Sequence, residues 1–357
     1  MNSKLPRVLV AMSGGVDSSV AATLLTHAGY EVVGAMLRLW SAATEGNDNR
    51  CCPPEAVASA RQVASEIKIP FYVIDAQDEF YRQVILDFIQ SHTRGLTPNP
   101  CVLCNRVLRW GFLLQQAQQM KIDFIATGHY AKVVSLNNQK YELHRGVDQE
   151  KDQSYVLSML NQDQLAHTIF PLGGMHKKEV RELARQCSLH VADRPDSQDL
   201  CFLGDKDFRG FLERYASQLL QPGSIIDLNG QKMGEHQGLV FFTIGQRKGL
   251  RISHGKPLYV IKKDLVDNNL IVGTMDQLGQ TELVADQVNW ISGAVPEREF
   301  RAQVKIRYKA EFAWAMIFPM PDEKFKAIFD QPLRDITPGQ YAVLYSGDSV
   351  IGGGVIL

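Results

Sequence analysis

Several large protein classes are excluded by what this sequence has little of. Cysteine is scarce, six in 357 residues. That is far below the density of a disulfide scaffold, so a reducing compartment is expected. No apolar run approaches the ~18 residues that a membrane span needs. Behind Lys4 the N-terminal residues carry no apolar h-region, so no secretory signal is expected and the predicted location is the cytoplasm, with no membrane partner. Net charge is nearly absent: 38 Lys and Arg stand against 39 Asp and Glu, a balance of −1. This excludes a histone-like polycation but leaves room for a local basic face on nucleic acid. Internal repeats and low-complexity tracts are missing. What is present is globular in kind, 45% hydrophobic, 22% charged and 9% aromatic, which argues against long disorder, collagen and coiled coil. At ~100–200 residues per domain the length predicts two or three domains.

The first 200 or so residues alternate strand and helix signals. Strands are predicted at Val8–Met12, Glu31–Trp40, Phe71–Asp75 and Ile122–Thr127, with helices at Ser18–Ala28, Pro53–Lys68, Asp78–His92 and Val102–Met120. Continuous apolar strands separated by helices predict a parallel sheet covered on both faces. Beyond about residue 205 one more helix, Asp207–Leu220, is followed by short β-type runs between turn signals: Leu239–Ile244, Leu258–Lys262, Leu270–Val272, Phe300–Tyr308, Ala313–Phe318, Phe325–Phe329 and Tyr341–Tyr345. These predict small β domains, the last a barrel, with boundaries near 205–210 and 280–285.

Ser13-Gly14-Gly15-Val16-Asp17-Ser18 lies between the first strand and the first helix. Its glycines allow a tight turn and bring backbone N–H groups close to an anion. Ser18 and Ser19 add hydroxyls at a helix N-terminus, where the dipole favours phosphate. No Gly-Lys-Ser/Thr follows, so this is not a loop that delivers a γ-phosphate. An ordinary strand-turn-helix connection is the alternative.

The cysteines are Cys51, Cys52, Cys101, Cys104, Cys187 and Cys201. Cys187 reads as a core residue of the helix Lys177–Leu189. Cys51 and Cys52 are adjacent, so their side chains diverge, and both read as structural. Cys101 and Cys104 follow Asn99, a good N-cap, and Pro100, a good first helical residue. Their i,i+3 spacing puts both on one helix face, and a thiol near a helix N-terminus is expected to have a lowered pKa. The position suits a nucleophile or a metal ligand; half of a zinc site is the alternative, without a second Cys-x-x-Cys to complete it. Cys201 lies in a polar, proline-containing stretch and reads as a loop residue.

Taken together, AMSGGVDSS (11–19), TPNPCVLCN (97–105), TGHYA (127–131), KDQSY (151–155), DSQDLCF (196–202) and FTIGQRKG (242–249), with Arg307-Tyr308 and Thr337-Pro338-Gly339-Gln340, resemble the tRNA-specific 2-thiouridylases. These belong to the PP-loop ATP pyrophosphatases. The resemblance implies an α/β doubly wound PP-loop (adenine nucleotide alpha hydrolase-like) domain over 1–205 that binds ATP and carries catalysis. A small central domain over 206–282 and a C-terminal, tRNA-binding β-barrel over 283–357 would follow. It implies adenylation of the C2 oxygen of a wobble uridine, then sulfur transfer from a cysteine persulfide, with AMP and pyrophosphate released. Carried over by motif, Cys104 is the catalytic nucleophile and Cys201 the persulfide carrier, and the two form a disulfide after turnover. Ala11, Met12, Ser13, Gly14, Gly15, Val16, Asp17, Ser18, Met36 and Gly128 would contact ATP, which enters with Mg2+. Asn99, Pro100 and Cys101 would lie by the target base, and His129, Lys151, Asp152, Gln153, Arg307, Tyr308 and Gln340 would contact tRNA. A cysteine desulfurase or a sulfur-relay protein would supply sulfur. Many members have Asp where this chain has Cys101. That departure opens an alternative in which Cys101, Cys104 and Cys201 hold a [4Fe–4S] cluster; otherwise no metal is expected.

Two basic stretches bear on nucleic acid. In the run 301–309 Arg301, Lys305, Arg307 and Lys309 alternate with apolar residues, which in a strand gives one basic face. Gly245–Gly249 with Arg251 is a second basic turn that could grip phosphate or simply close a hairpin. For Asp152 a helix-capping role is the alternative to an RNA contact, and for His129 a structural hydrogen bond. The rival functions are another PP-loop adenylating ligase acting on a small metabolite, and a non-catalytic nucleotide-responsive RNA-binding protein.

Overall fold

A computed structural model describes residues 6–40, 53–137, 139–196, 200–203, 208–252 and 254–357. Cys51, Cys52 and the 197–199 part of the Cys201 motif lie outside the described residues.

The chain opens with β1 (Arg7–Ala11), whose Val8, Leu9 and Val10 are fully buried, as a strand covered on both faces requires. Val16–His27 is the first helix; β2 (Glu31–Arg38), the helix Pro54–Glu66 and β3 (Phe71–Asp75) follow. Next come helical residues 77–93 and 100–119, then β4 (Phe124–Ala126). A hairpin, β5 (Ala131–Ser135) and β6 (Tyr141–Arg145), precedes β7 (Thr168–Ile169) and the helix Lys177–Gln186. Strands β3-β2-β1-β4-β7 form one parallel sheet in that order. The order winds outward from β1 through β2 and β3, then restarts on its other side at β4. The switch point between β1 and β4 is where ligands bind in open α/β sheets.

After the helix Phe208–Tyr215, a second sheet is built from β8 (Gly223–Ile226), β9 (Lys232–His236), β10 (Tyr259–Asp264) and β11 (Asn269–Gly273), in the order β10-β11-β8-β9. Six further strands, β12 (Gln280–Trp290), β13 (Phe300–Lys305), β14 (Ala313–Met320), β15 (Lys324–Leu333), β16 (Tyr341–Ser346) and β17 (Ser349–Ile356), close into a barrel through the β12–β17 pairing. The expected fold class is therefore what the chain adopts. Among the described residues no helix is long and apolar enough to cross a membrane.

Several local readings differ from the structure. The run 239–244 predicted a strand, but Leu239–Phe241 is a 3-10 turn entered through Gly238 at φ 148. The strand predicted over 300–308 stops at Lys305, so Arg307, Tyr308 and Lys309 lie in the turn beyond it. Strand β17 was not anticipated because its centre is Gly352-Gly353-Gly354. A Cβ at Gly352 would stand 2.4 Å from Asn289 O, and one at Gly354 2.8 Å from Asp286 O, so the barrel seam closes only over bare backbone.

The barrel does not stand apart. The hairpin β5–β6 leaves the first domain and extends the barrel sheet, Leu143 pairing with Val350 and His144 with Ser349. One buried apolar cluster runs from Leu9, Val102, Trp110 and Ile125 through Leu143 and Tyr155 to Tyr341, Val343, Tyr345 and Val350. At roughly 1.5–3 kcal/mol for each large side chain removed from water, such a continuous core fixes the barrel against the helix that carries Cys101 and Cys104.

Candidate active site

The residues between β1 and the first helix form a closed loop at the switch point. Gly14 has φ +74, and a Cβ there would meet Ala56 O at 2.4 Å. Ser18 is buried; its Oγ accepts from Ser13 N at 3.0 Å and donates to Gly15 O at 3.2 Å. The adjacent Ser19 is fully buried and donates to Gly15 O at 2.9 Å, so its hydroxyl shapes the loop and does not point to a ligand, contrary to expectation. Gly128 closes the loop from β4, where a Cβ would stand 2.7 Å from both Asp17 C and Ser18 N. Met36 is buried on β2 in the same apolar cluster as Met12 and Val16.

Around this loop lies a charge network that the sequence did not reveal. Lys177 Nζ donates to both Asp17 carboxylate oxygens at 2.7 Å and is 2.9 Å from Asp196. Tyr130 donates its hydroxyl to Asp17 at 2.8 Å. Asp196 also takes Lys151 at 2.8 Å and Arg181 at 2.9 Å, and Arg194 donates to Gly14 O at 2.7 Å. Burial works to raise the Asp196 carboxyl, but the hydrogen bonds from Lys151 and Lys177 outweigh it and hold the pKa down at about 2. No spacing rule links Lys177 to a loop 160 residues earlier; only the sheet order brings them together.

The cysteine helix begins as its residues predict. Asn99 Oδ1 accepts from the backbone N–H of Cys101 at 3.2 Å and of Val102 at 3.4 Å, with Pro100 at the first position. Cys101 is exposed, Cys104 is buried at 7% exposure and Cys201 is exposed. The expected lowering of the thiol pKa does not occur at Cys104. Burial pushes Cys104 up to about 12, and the nearby Cys201 and Cys101 add to the rise. Desolvation outweighs the helix terminus here because Cys104 sits within an apolar cluster containing Phe80, Phe88, Leu108 and Phe202. All three thiols nevertheless fall within one another's electrostatic reach. Among the described residues no group of three or more His, Cys, Asp or Glu side chains is arranged to hold a metal ion.

The barrel and the KDQSY segment face this helix. Gln340 donates to Thr97 O at 2.7 Å, and Thr97 N donates to Pro338 O at 2.9 Å. Tyr155 is fully buried, donates to Tyr341 O at 3.0 Å and meets Tyr308 edge-on at 6.2 Å. Asn99, Cys101, Tyr308 and Gln340, far apart in sequence, thus gather at one place. Other residues carry structural bonds. Asp152 is buried, accepting from Gly146 N, Ser154 N and Ser154 Oγ. Gln153 accepts from Tyr130 N at 3.0 Å. His129 is half-buried between Trp110 and Phe170 and paired with Thr127 at 2.6 Å; burial, then Arg109, holds its pKa down at about 3. Arg307 donates to Ile244 O at 2.8 Å and to Thr337 Oγ1, tying the central domain to the barrel.

The basic strand is also more committed than expected. Arg301 pairs with Asp330 and covers Trp314, and Lys305 is half-buried over Phe312 at 5.2 Å. Arg247, Arg251, His254 and Lys256 instead line an open cavity of about 340 Å3 in the central domain.

Residues 6–205 match the family described as tRNA methyl transferase HUP domain, residues 209–274 the tRNA methyl transferase PRC-barrel domain and residues 280–356 the aminomethyltransferase beta-barrel domain. The chain is 46% identical over 357 residues to the tRNA-specific 2-thiouridylase MnmA of Natranaerobius thermophilus, covering 98% of this chain and 97% of that one. The protein of the same name from Acetivibrio thermocellus is 43% identical over 354 residues, covering 98% and 99%. Among solved structures, a 4-thiouridine synthetase–RNA complex with bound ATP aligns at TM-score 0.35 and 16% identity, over 56% of this chain and 46% of that one.

Proposed function

The chain belongs to the tRNA-specific 2-thiouridylase family, and we propose that it replaces the C2 oxygen of a wobble uridine in tRNA with sulfur, at the cost of one ATP. As a member of that family it is a tRNA sulfurtransferase built on a PP-loop fold. One observation carries the reading to this chain: barrel residue Gln340 bonds to Thr97, two residues before the Asn99-Pro100-Cys101 turn that starts the thiol helix. An RNA gripped by the barrel is thereby delivered to the cysteines.

ATP, entering as its Mg2+ complex, seats its phosphates on the Ser13–Ser18 loop, with Ala11, Met12, Met36 and Gly128 around the nucleotide. The uridine C2 oxygen attacks the α-phosphorus and pyrophosphate leaves. Cys201, exposed, receives a sulfane sulfur from a cysteine desulfurase or a relay protein. The Cys104 thiolate attacks the inner sulfur of that persulfide, forming a Cys104–Cys201 disulfide and releasing hydrosulfide. Hydrosulfide adds to C2 and AMP departs. The sulfane sulfur is reduced by two electrons, the two thiols are oxidised, and an external thiol resets them. Asn99, Pro100 and Cys101 would border the base; His129, the 151–153 segment, Arg307, Tyr308 and Gln340 would frame the tRNA. Cys101 in this route is a spare thiol, so Cys101→Asp keeps most activity.

The test is reconstitution with tRNA, ATP and persulfide-loaded protein, reading nucleosides and nucleotides by mass spectrometry. The expected products are 2-thiouridine, AMP and pyrophosphate in equal amounts. ADP and phosphate as main products would refute the adenylation step, and full thiolation by Cys104→Ser or Cys201→Ser would refute the two-cysteine route.

A further inference from the structure

The reaction proposed above needs a thiolate at Cys104, since the thiol is not the nucleophile. The surroundings oppose one. Cys104 is 7% exposed in an apolar cluster. Burial pushes its pKa up, and the Arg109 guanidinium is what works against that rise. Cys101 and Cys201 add negative charge when ionised and make matters worse. Some cation has to offset this.

Arg109 is that cation by position. Its Nη1 donates to Asn105 Oδ1 at 2.7 Å and lies 3.9 Å from Cys104 Sγ, within range of a hydrogen bond to sulfur. The tether is rigid: Asn105 is 2% exposed, and its own amide donates to Val156 O at 3.0 Å. Winding explains the approach. Straight α-helix geometry brings residues three and four apart together, not five. Here Asn105–Leu113 follows the wider π-helical path with i→i+5 bonding, which carries Arg109 back over Cys104. Among the described residues no carboxylate pairs with Arg109, so its charge is available to the sulfur. Arg109 is also the one group among them that lowers the Cys104 pKa. His129, the neighbouring imidazole, is held neutral and does not substitute for it.

We propose that Arg109 is the counter-ion that holds the Cys104 sulfur as a thiolate for attack on the persulfide, the thiol proton having passed to solvent. It is a positioning residue, and the proposal rests on Cys104 being the nucleophile.

The test is the pH dependence of Cys104 alkylation by iodoacetamide, read on the Cys104 peptide by mass spectrometry, in the full-length protein without tRNA. Thermal unfolding and steady-state thiolation are measured alongside. Arg109→Gln keeps a hydrogen-bonding partner for Asn105 and removes the charge. Its alkylation midpoint should rise by about one unit or more, lowering the rate at neutral pH about tenfold per unit. The thiolation kcat should fall in parallel, with the KM for tRNA unchanged, and Arg109→Lys should recover part of both. An unchanged midpoint in a folded Arg109→Gln protein, or a loss carried by the KM for tRNA, overturns the proposal. Should Arg109→Gln fail to fold, Asn105→Ala, which releases the guanidinium from its tether, decides by the same midpoint: raised supports, unchanged overturns. Full thiolation by Cys104→Ser would overturn the nucleophile reading itself, a result separable from the alkylation midpoint.

Discussion

Lys177 and Asp17, 160 residues apart, form a two-pronged ion pair, the ammonium donating to both carboxylate oxygens at 2.7 Å. Lys177 is 9% exposed and reaches Asp196 as well, so it joins the nucleotide loop to the segment that leads to Cys201. Removing it leaves two carboxylates facing each other without their shared cation. Lys177→Met is expected to lower stability and ATP-dependent pyrophosphate release. A double-mutant cycle with Asp17→Asn should give a coupling energy of roughly 1–3 kcal/mol by chemical denaturation; a cycle that closes near zero would show the pair to be incidental.

Gly128 tests the loop sterically. A Cβ there collides with the backbone of Asp17 and Ser18 at 2.7 Å, and backbone cannot step aside as a flexible side-chain tip can. Gly128 does not have a positive φ, so alanine is acceptable conformationally and its effect reports the collision alone. Gly128→Ala is expected to weaken ATP binding at least tenfold by calorimetry. Unaltered ATP affinity would mean that the loop has room to move.

The central-domain cavity tests where RNA phosphate is held. Arg251 and Lys256 line it without an ion pair among the described residues, whereas Arg301 and Lys305 are already engaged. Replacing Arg251 and Lys256 together by glutamine should weaken tRNA binding. It should also flatten the dependence of log K on log salt by roughly 0.7–0.9 per lost contact. The same change at Arg301 and Lys305 should alter the slope less. The reverse ranking would put the larger phosphate contact on Arg301 and Lys305.

His92 predicts the acid limb of stability. The ring is 8% exposed, packed on Phe88 at 4.7 Å and Phe208 at 5.4 Å, with Lys263 from the central domain nearby. Burial first, and Lys263 second, hold its pKa down at about 3 against 6.5 for a free imidazole. Between these values the unfolded chain binds the proton and the folded chain does not. Stability therefore rises with pH through this window and is lost as pH falls, by about 1.4 kcal/mol per unit at most. His92→Phe should flatten the denaturation midpoint between pH 6 and pH 4; an unchanged acid limb would show that other groups set it.

Much was readable in the chain itself, because the signals were local. Val8-Leu9-Val10 reads as a strand buried on both sides, Asn99-Pro100 as the start of a helix, and the glycines at 14 and 15 announce a tight turn after β1. Those are properties of a few neighbouring residues and their backbones, and they carried the parallel sheet, the nucleotide loop and the thiol helix. The tertiary structure decided what depends on distant partners. Burial reversed the expected effect of the helix terminus on Cys104, since the desolvating residues include Phe202, almost 100 positions away. Sheet order placed Lys177 on Asp17. Packing decided the intramolecular partners of Ser19, Asp152 and Arg307, which bond to Gly15, Ser154 and Ile244. Strand β17 has so little strand character in Gly352-Gly353-Gly354 that only the approach of Asn289 and Asp286 accounts for it. A sequence states what each residue can do, and which of those capacities is used depends on the water removed and the charge brought near when the chain closes on itself.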